Sequence, residues 1–203
     1  MTPKVSVIIP AHNAEDTIKE AICSIPKMEG KVEIIVVNDG STDGTHQIVN
    51  DLWTMDVIDQ LFETVNCGVA HAVNVGLSHA RGEYVVLLGA DDDFTTNFVL
   101  AVDELDGTDL VYFDLIINSG EVWRVNPETK EKICGSVKFM RREFIGDTRE
   151  PEEKKAGEDY YFYQALLAKN PTEKFTRLVV KHYNFPREGS LTNRRLKGEF
   201  KDE

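Results

Sequence analysis

GEYVVLLGADDDF, residues 82–94, decides how the rest of the chain is read. Five apolar or aromatic residues, Tyr84 to Leu88, run into Gly89-Ala90 and then three carboxylates in a row, Asp91, Asp92 and Asp93. A short continuous apolar run is the signature of a strand buried on both faces. Adjacent like charges repel and are costly to desolvate. Three acids where a buried strand ends therefore call for a partner.

Working outward, the first half of the chain alternates. Val5 to Ile9 is a β-branched run that Pro10 should stop. Glu15 to Ile25 places Ile18, Ala21, Ile22 and Ile25 at helical spacing before Pro26. Val32 to Val37 is a second buried strand, broken by Asn38-Asp39-Gly40. Ser41 is a suitable N-cap for a helix over 42–53. Val57 to Phe62 is a third strand, and 68–80 a helix carrying Ala72, Val75, Gly76 and Leu77. Short apolar strands alternating with amphipathic helices predict an α/β fold, Rossmann-like, with a mostly parallel central sheet and helices on both faces. Ligands of such sheets bind outside the carboxyl ends of the strands. Three stretches then share one edge: 10–13, 38–40 and 89–93.

The second half is less regular. Residues 109–117 and 122–125 read as strands around Ser119-Gly120, 138–144 as a short helix or strand end, 158–169 as a helix and 175–180 as a last strand. The stretch GDTREPEEKKAG, 146–157, is charged and almost without apolar side chains, which predicts a mobile loop. The tail after Asn193 is polar.

Composition limits the function classes. The chain has 203 residues, 41% hydrophobic and 29% charged, enough for a real core. A net charge of -12 argues against binding a nucleic-acid backbone, where Lys and Arg neutralise phosphate. A phosphorylated ligand stays open, since a divalent metal can bridge carboxylates to phosphate. Cys23, Cys67 and Cys134 form no disulfide or zinc pattern, which suggests a reducing compartment. No apolar run approaches the ~18 residues of a membrane span, so no transmembrane segment is expected and a cytoplasmic location is.

Carboxylates at the mouth of a strand are hard oxygen donors suited to Mg²⁺ or Mn²⁺. A metal there would neutralise a diphosphate as leaving group. Asp39 can accept a hydrogen bond from a nucleobase N–H or a ribose hydroxyl. Plainer readings compete: Asp93 as the cap of a helix starting near Thr95, 38–41 as a simple turn, and Glu158-Asp159 as acids complementing a helix dipole. AHNAEDT, 11–17, has no Gly- and Lys-rich phosphate loop, which speaks against a nucleotidyltransferase.

Taken together, VSVIIPAHNAEDTI (5–18), IIVVNDGSTDGT (34–45), NCGVAHAVNVGLSHARGEYVVLLGADDDF (66–94) and GEDYYF (157–162) resemble the GT-A fold glycosyltransferases of the family 2 type. The resemblance is closest over 4–94 and fades towards the C-terminus. It implies a nucleotide-sugar-binding half over 1–105, an acceptor-binding half of the same domain over 106–193, and a polar tail over 194–203. It implies inverting, metal-assisted transfer of a sugar from a nucleoside-diphosphate sugar, usually a UDP-sugar, to a hydroxyl acceptor such as a carbohydrate. Carried over residue by residue, Pro10, Ala11 and His12 form the wall beside the base and Asp39 meets the uracil. Gly68 and Asn74 fall among the donor-binding positions, Asp91 meets the ribose or the metal, and Asp92 the metal. Asp159 matches the general base, taking the acceptor's proton as it attacks. Two departures stand out. Gly89 replaces the first acid of an Asp-x-Asp pattern, and Val73 an Arg common beside the position of Asn74. They motivate an alternative, a catalytically inactive GT-A-like module that binds nucleotide or glycan.

Overall fold

The computed structural model describes residues 2–128, 136–154 and 157–185. Cys134, the tail 194–203 and positions 155–156 of the charged stretch lie outside the described residues.

β1 (Val5–Ala11) is the organising strand. Its Val5, Val7, Ile8 and Ile9 are fully buried. It pairs in parallel with β2 (Val32–Asp39) over seven residues, from Val5↔Val32 to Ala11↔Asn38. On its other side it pairs in parallel with β4 (Tyr84–Leu87), ending at Ile8↔Leu87. α1 (Ile18–Cys23) connects β1 to β2. α2 (Thr45–Thr54) leads on to β3 (Gln60–Thr64), which adds to β2 in parallel. α3 (Val69–His79) returns the chain to β4. The alternation read from the sequence is thus a parallel sheet of order β3-β2-β1-β4.

The second half extends the same sheet with mixed directions. After β5 (Asp93–Phe94) and α4 (Asn97–Asp103) come β6 (Leu110–Ile117), β7 (Val122–Trp123) and β8 (Lys138–Arg141). α5 (Arg142–Ile145), α6 (Glu158–Leu167) and the long β9 (Glu173–Tyr183) complete the described chain. β8 joins β4 to β6 by antiparallel pairing, β6 pairs in parallel with β9, and β9 pairs antiparallel with β5. The described residues of both halves therefore share one nine-stranded sheet.

Four local expectations change, each for a physical reason. Pro10 lies inside β1 rather than after it. Pairing to β4 stops at Ile8, so beyond that point β1 has a strand neighbour on one side, and a missing N–H is tolerated there. Ser41 does not cap α2, whose N-cap is Gly44; its hydroxyl donates to Asn38 Oδ1 and accepts from the Asn13 N–H. Asp93 caps no helix, because it lies in β5 opposite His182 and α4 starts four residues later, after Thr96. Residues 146–154 of the charged stretch are anchored rather than loose: Glu150 is 4% exposed and its backbone N–H and C=O bond to the side chain of Asn74 on α3.

At the amino-terminal edge one buried acid closes the β4 entry. Glu33 on β2, 1% exposed, accepts from Ser6 Oγ, from the Arg81 backbone and Nε, and from the Gly82 N–H. Burial alone would raise its pKa, but the hydrogen bonds from Ser6 and Arg81 and the Arg81 charge hold it below the usual carboxylate range. The Ala80–Tyr84 stretch is therefore structural, at the far edge from the acids of 91–93.

The packing of α3 on β1 rests on Gly76, where an added Cβ would sit 2.4 Å from Ile8 Cγ2. A Gly→Ala change inside a helix ordinarily gains up to about 1 kcal/mol. Against a buried β-branched side chain, overpacking costs about 1–3 kcal/mol and wins. We expect Gly76→Ala to lower stability, read as a fall in the urea midpoint at unchanged slope; an equal or higher midpoint would contradict this packing.

Candidate functional site

The carboxyl ends of β1, β2, β3 and β4 converge on one edge. There the β1–α1 and β2–α2 connections are stitched side chain to backbone. Asn13, held at φ 49°, accepts the Thr42 N–H on Oδ1 at 2.8 Å, Glu15 accepts the Gly44 N–H at 2.6 Å, and Thr45 Oγ1 accepts the Ala14 N–H at 2.7 Å. Asn38 Nδ2 donates to Glu63 at 2.8 Å. Much of the NDGSTDGT stretch thus builds the rim of the site.

Asp39 ends β2 and is 3% exposed. Its Oδ1 accepts from Thr64 Oγ1 at 2.7 Å and the Cys67 N–H at 2.9 Å, and its Oδ2 from the Gly68 N–H at 2.7 Å. Burial pushes this carboxyl up, and the donors from Thr64, Cys67 and Gly68, with His12 nearby, more than offset it, so its pKa lies below the ordinary value. It stays ionised, and Oδ2 retains acceptor capacity. Gly40 beside it has φ +64°, and a Cβ there would lie 2.5 Å from the Asn66 nitrogen, so the turn needs glycine both for conformation and for space. His12 Nδ1–H donates to the Asp39 carbonyl at 2.7 Å, which leaves Nε2 to accept from the amides of Asn13 and Asn66. Pro10 and Ala11 lead into this corner, Ala11 facing Asn38 in the register. Gly68 opens α3 at φ 97°, a conformation that favours glycine.

The three acids after β4 part company. Asp93 pairs with His182 Nδ1 at 3.0 Å at the surface. Asp92 is 4% exposed; its Oδ2 lies 2.6 Å from Lys181 Nζ, and its Oδ1 accepts the Asn184 N–H at 2.9 Å. The Lys181 contact is an ion pair held by charge, because the ammonium makes no well-directed hydrogen bond among the described residues. Asp91 Oδ1 turns back over Gly89: a Cβ at Gly89 would sit 3.0 Å from it and 2.8 Å from Asp92 Oδ2. Glycine at 89 therefore leaves open a point on which two carboxylate oxygens converge. Two hard oxygens around that space suit Mg²⁺ or Mn²⁺, which commonly use one or two carboxylates and take their other ligands from phosphate and water. No group of three or more His, Cys, Asp or Glu side chains able to hold a metal occurs among the described residues.

Asp159 stands on a different element, in the first turn of α6, half-buried, with Oδ1 accepting the Tyr160 N–H at 2.8 Å. It is tied to the rest through Glu150. Asn74 on α3 spends its side chain on residues 150–152, donating to the Glu150 carbonyl and Glu152 Oε1 and accepting the Glu150 N–H, each at 2.9 Å. That sets the Glu150 carboxyl beside Asp159, Glu158 and Lys138. Burial first, then the charges of Asp159 and Glu158, push Glu150 up to about 8, with Lys138 opposing. Burial and Asp159 likewise raise Glu158.

Sequence reading missed Lys181, Glu150 and Glu33. Each is a charged residue that the fold buries. For Lys181 a signal existed: it continues the apolar run of Leu178, Val179 and Val180, where a lysine needs a buried partner. Glu150, inside a polar stretch, gave none.

The Glu150 environment sets a pH dependence. The folded state binds its proton more tightly than the unfolded chain, so this carboxyl removes stability as pH rises from about 4.5 to about 8. Glu150→Gln should abolish that loss. The difference in urea midpoint, variant minus wild type, is expected to grow between pH 5 and pH 8, and a difference independent of pH would contradict the buried placement.

Comparison with known proteins gives the family and the fold. The model of glycosyl transferase family 2 matches residues 6–174. An uncharacterized glycosyltransferase of Haemophilus influenzae is 31% identical over 156 residues, covering 68% of this chain and 48% of that protein. TarS 1-349 of S. aureus, solved in complex with UDP-GlcNAc, superposes with TM-score 0.77 at 25% identity, over 94% of this chain and 60% of that one. The mannosyltransferase PcManGT of Pyrobaculum calidifontis, solved with GDP-Man and Mn²⁺, shares the fold at TM-score 0.70 and 23% identity, over 98% of this chain and 62% of that one. This chain spans about half the length of the Haemophilus relative. No helix among the described residues is long and apolar enough to cross a membrane. With its family model spanning β1 to the start of β9, the chain belongs to glycosyl transferase family 2.

Proposed function

We propose that this chain binds a nucleoside-diphosphate sugar, a UDP-sugar in the first instance, and transfers its sugar to an acceptor hydroxyl with inversion. One observation carries the reading: Asp39, held ionised by its donors, and the converging oxygens of Asp91 and Asp92 lie at the carboxyl ends of β2 and β4, the two parallel strands that flank β1. That is where open α/β sheets take their ligands. The likeness to a TarS structure with UDP-GlcNAc supports the choice of nucleotide.

In this proposal the base lies against Pro10, Ala11 and His12, its N–H donating to the acceptor capacity left on Asp39. Asp39 is preorganised, since its three internal donors fix it before any ligand arrives. Gly68 keeps the 66–68 turn close to that corner. Asn74 enters as the residue that positions 150–152. Asp91 and Asp92 would hold Mg²⁺ or Mn²⁺. Such an ion neutralises charge developing on the leaving diphosphate when bound. The acceptor oxygen forms its bond to the anomeric carbon as the bond to the diphosphate breaks, and the acceptor's proton passes to the Asp159 carboxylate. A single displacement inverts the centre and needs no enzyme nucleophile.

A second reading, a module that binds nucleotide without turnover, draws on Asp92, both of whose oxygens are already engaged. The two readings separate in one set of measurements. Calorimetric titration of UDP is expected to show binding that Mn²⁺ strengthens, with GDP weaker. UDP release from a panel of UDP-sugars should be stopped by EDTA. Asp159→Asn should lower UDP release about 10²–10⁴-fold, the usual worth of a general base, with UDP affinity unchanged. Full turnover in that variant would remove Asp159 from the mechanism. Binding with no turnover of any donor would favour the inactive module, and no binding of either nucleotide would overturn both.

A further inference from the structure

The buried ammonium of Lys181 is used by nothing in the mechanism above. It is fully buried near the end of β9, 2.6 Å from Asp92 Oδ2, with the Tyr183 ring 5.6 Å away. A buried lysine is retained only where its charge is compensated, and here the compensating group is one of the two acids that face the Gly89 space. The oxygen it holds is the one a Cβ at Gly89 would approach to 2.8 Å, so the ammonium and any ion in that space address the same atom.

We propose that Lys181 is a built-in competitor for Asp92, a positioning residue that decides how strongly this edge takes a divalent cation. With no ion bound, the ammonium neutralises Asp92 and keeps it aimed beneath Asp91, and the Asn184 N–H fixes its other oxygen. A divalent ion reaching Asp92 Oδ2 must share that oxygen with Lys181 or displace it, against the repulsion of a nearby positive charge. Metal alone is then held weakly, mainly through Asp91. A nucleoside diphosphate brings the negative charge that offsets the ammonium, so metal and nucleotide strengthen each other's binding. The inference rests on the proposed placement of the metal at Asp91 and Asp92.

The test uses Mn²⁺ alone, with free ion followed by electron paramagnetic resonance. Lys181→Met should bind Mn²⁺ about tenfold or more tightly than wild type, since one nearby unit charge at partly buried sites is worth at least that factor. Lys181→Met combined with Asp92→Asn should lose the gain. Mn²⁺ binding by folded Lys181→Met that equals or falls below wild type would overturn the proposal. If that variant does not fold, the wild-type protein decides by nitrogen NMR of lysine ammonium groups during Mg²⁺ titration. The Lys181 signal should move as Mg²⁺ binds, and a signal unmoved at saturation would overturn it. Calorimetry of UDP on the same samples keeps the two ideas apart: tighter Mn²⁺ binding by Lys181→Met with no UDP binding leaves the Lys181 inference standing and removes the donor reading. UDP binding with unaltered Mn²⁺ affinity does the reverse.

Discussion

Everything at the candidate site depends on β1 being held in parallel register between two other strands. Seven residue pairs lock it to β2 and four to β4, and its Val5, Ser6, Val7, Ile8 and Ile9 are fully buried. Both faces of β1 are covered, so a one-residue slip would exchange the side chains packed on the two faces and undo close fits such as Ile8 against Gly76. That constraint delivers Ala11, Asn38-Asp39 and the turn after Leu87 to the same edge. Functional groups more than 70 residues apart in sequence become neighbours through a hydrophobic requirement that knows nothing of chemistry.

The buried charges divide the labour between the two edges. At the amino-terminal edge Glu33 is saturated by Ser6, Arg81 and Gly82 and serves the fold. At the carboxyl edge Asp39 is fixed by three donors yet keeps acceptor capacity, and Asp92 is shared with Lys181. Buried acids without compensation would be costly, and in each case the compensation also sets geometry. β9 takes part because its long pairing with β6 carries Lys181 and Asn184 back to the Asp92 turn. The irregular second half of the chain thus completes a site whose first members lie in the regular half.

Sequence reading reached the parallel half because buried strands such as 84–88 and helices such as 68–80 carry strong periodic signals. It placed the three strand ends together, and Asp39, Asp91 and Asp92 are found there. It misjudged positions where tertiary contacts override local preference: Pro10 sits inside a strand because β4 has already ended, and Asp93 pairs with His182 89 residues away in place of capping α4. The anchorage of 146–154 by Asn74 was invisible, since a polar stretch looks the same whether or not a distant amide satisfies its backbone. The apolar run before Lys181 announces that the lysine needs a buried partner, but not that the partner is Asp92, 89 residues away.

If the ends of β1, β2 and β4 form one donor site, a donor nucleotide must touch all three at once. Hydrogen exchange with and without UDP and Mn²⁺ addresses it directly. Joint protection of 11–13, 64–68 and 89–92 is expected, with the opposite edge around Lys4, Lys31 and Arg142 unchanged. Protection confined to that opposite edge, or to only one of the three strand ends, would contradict it.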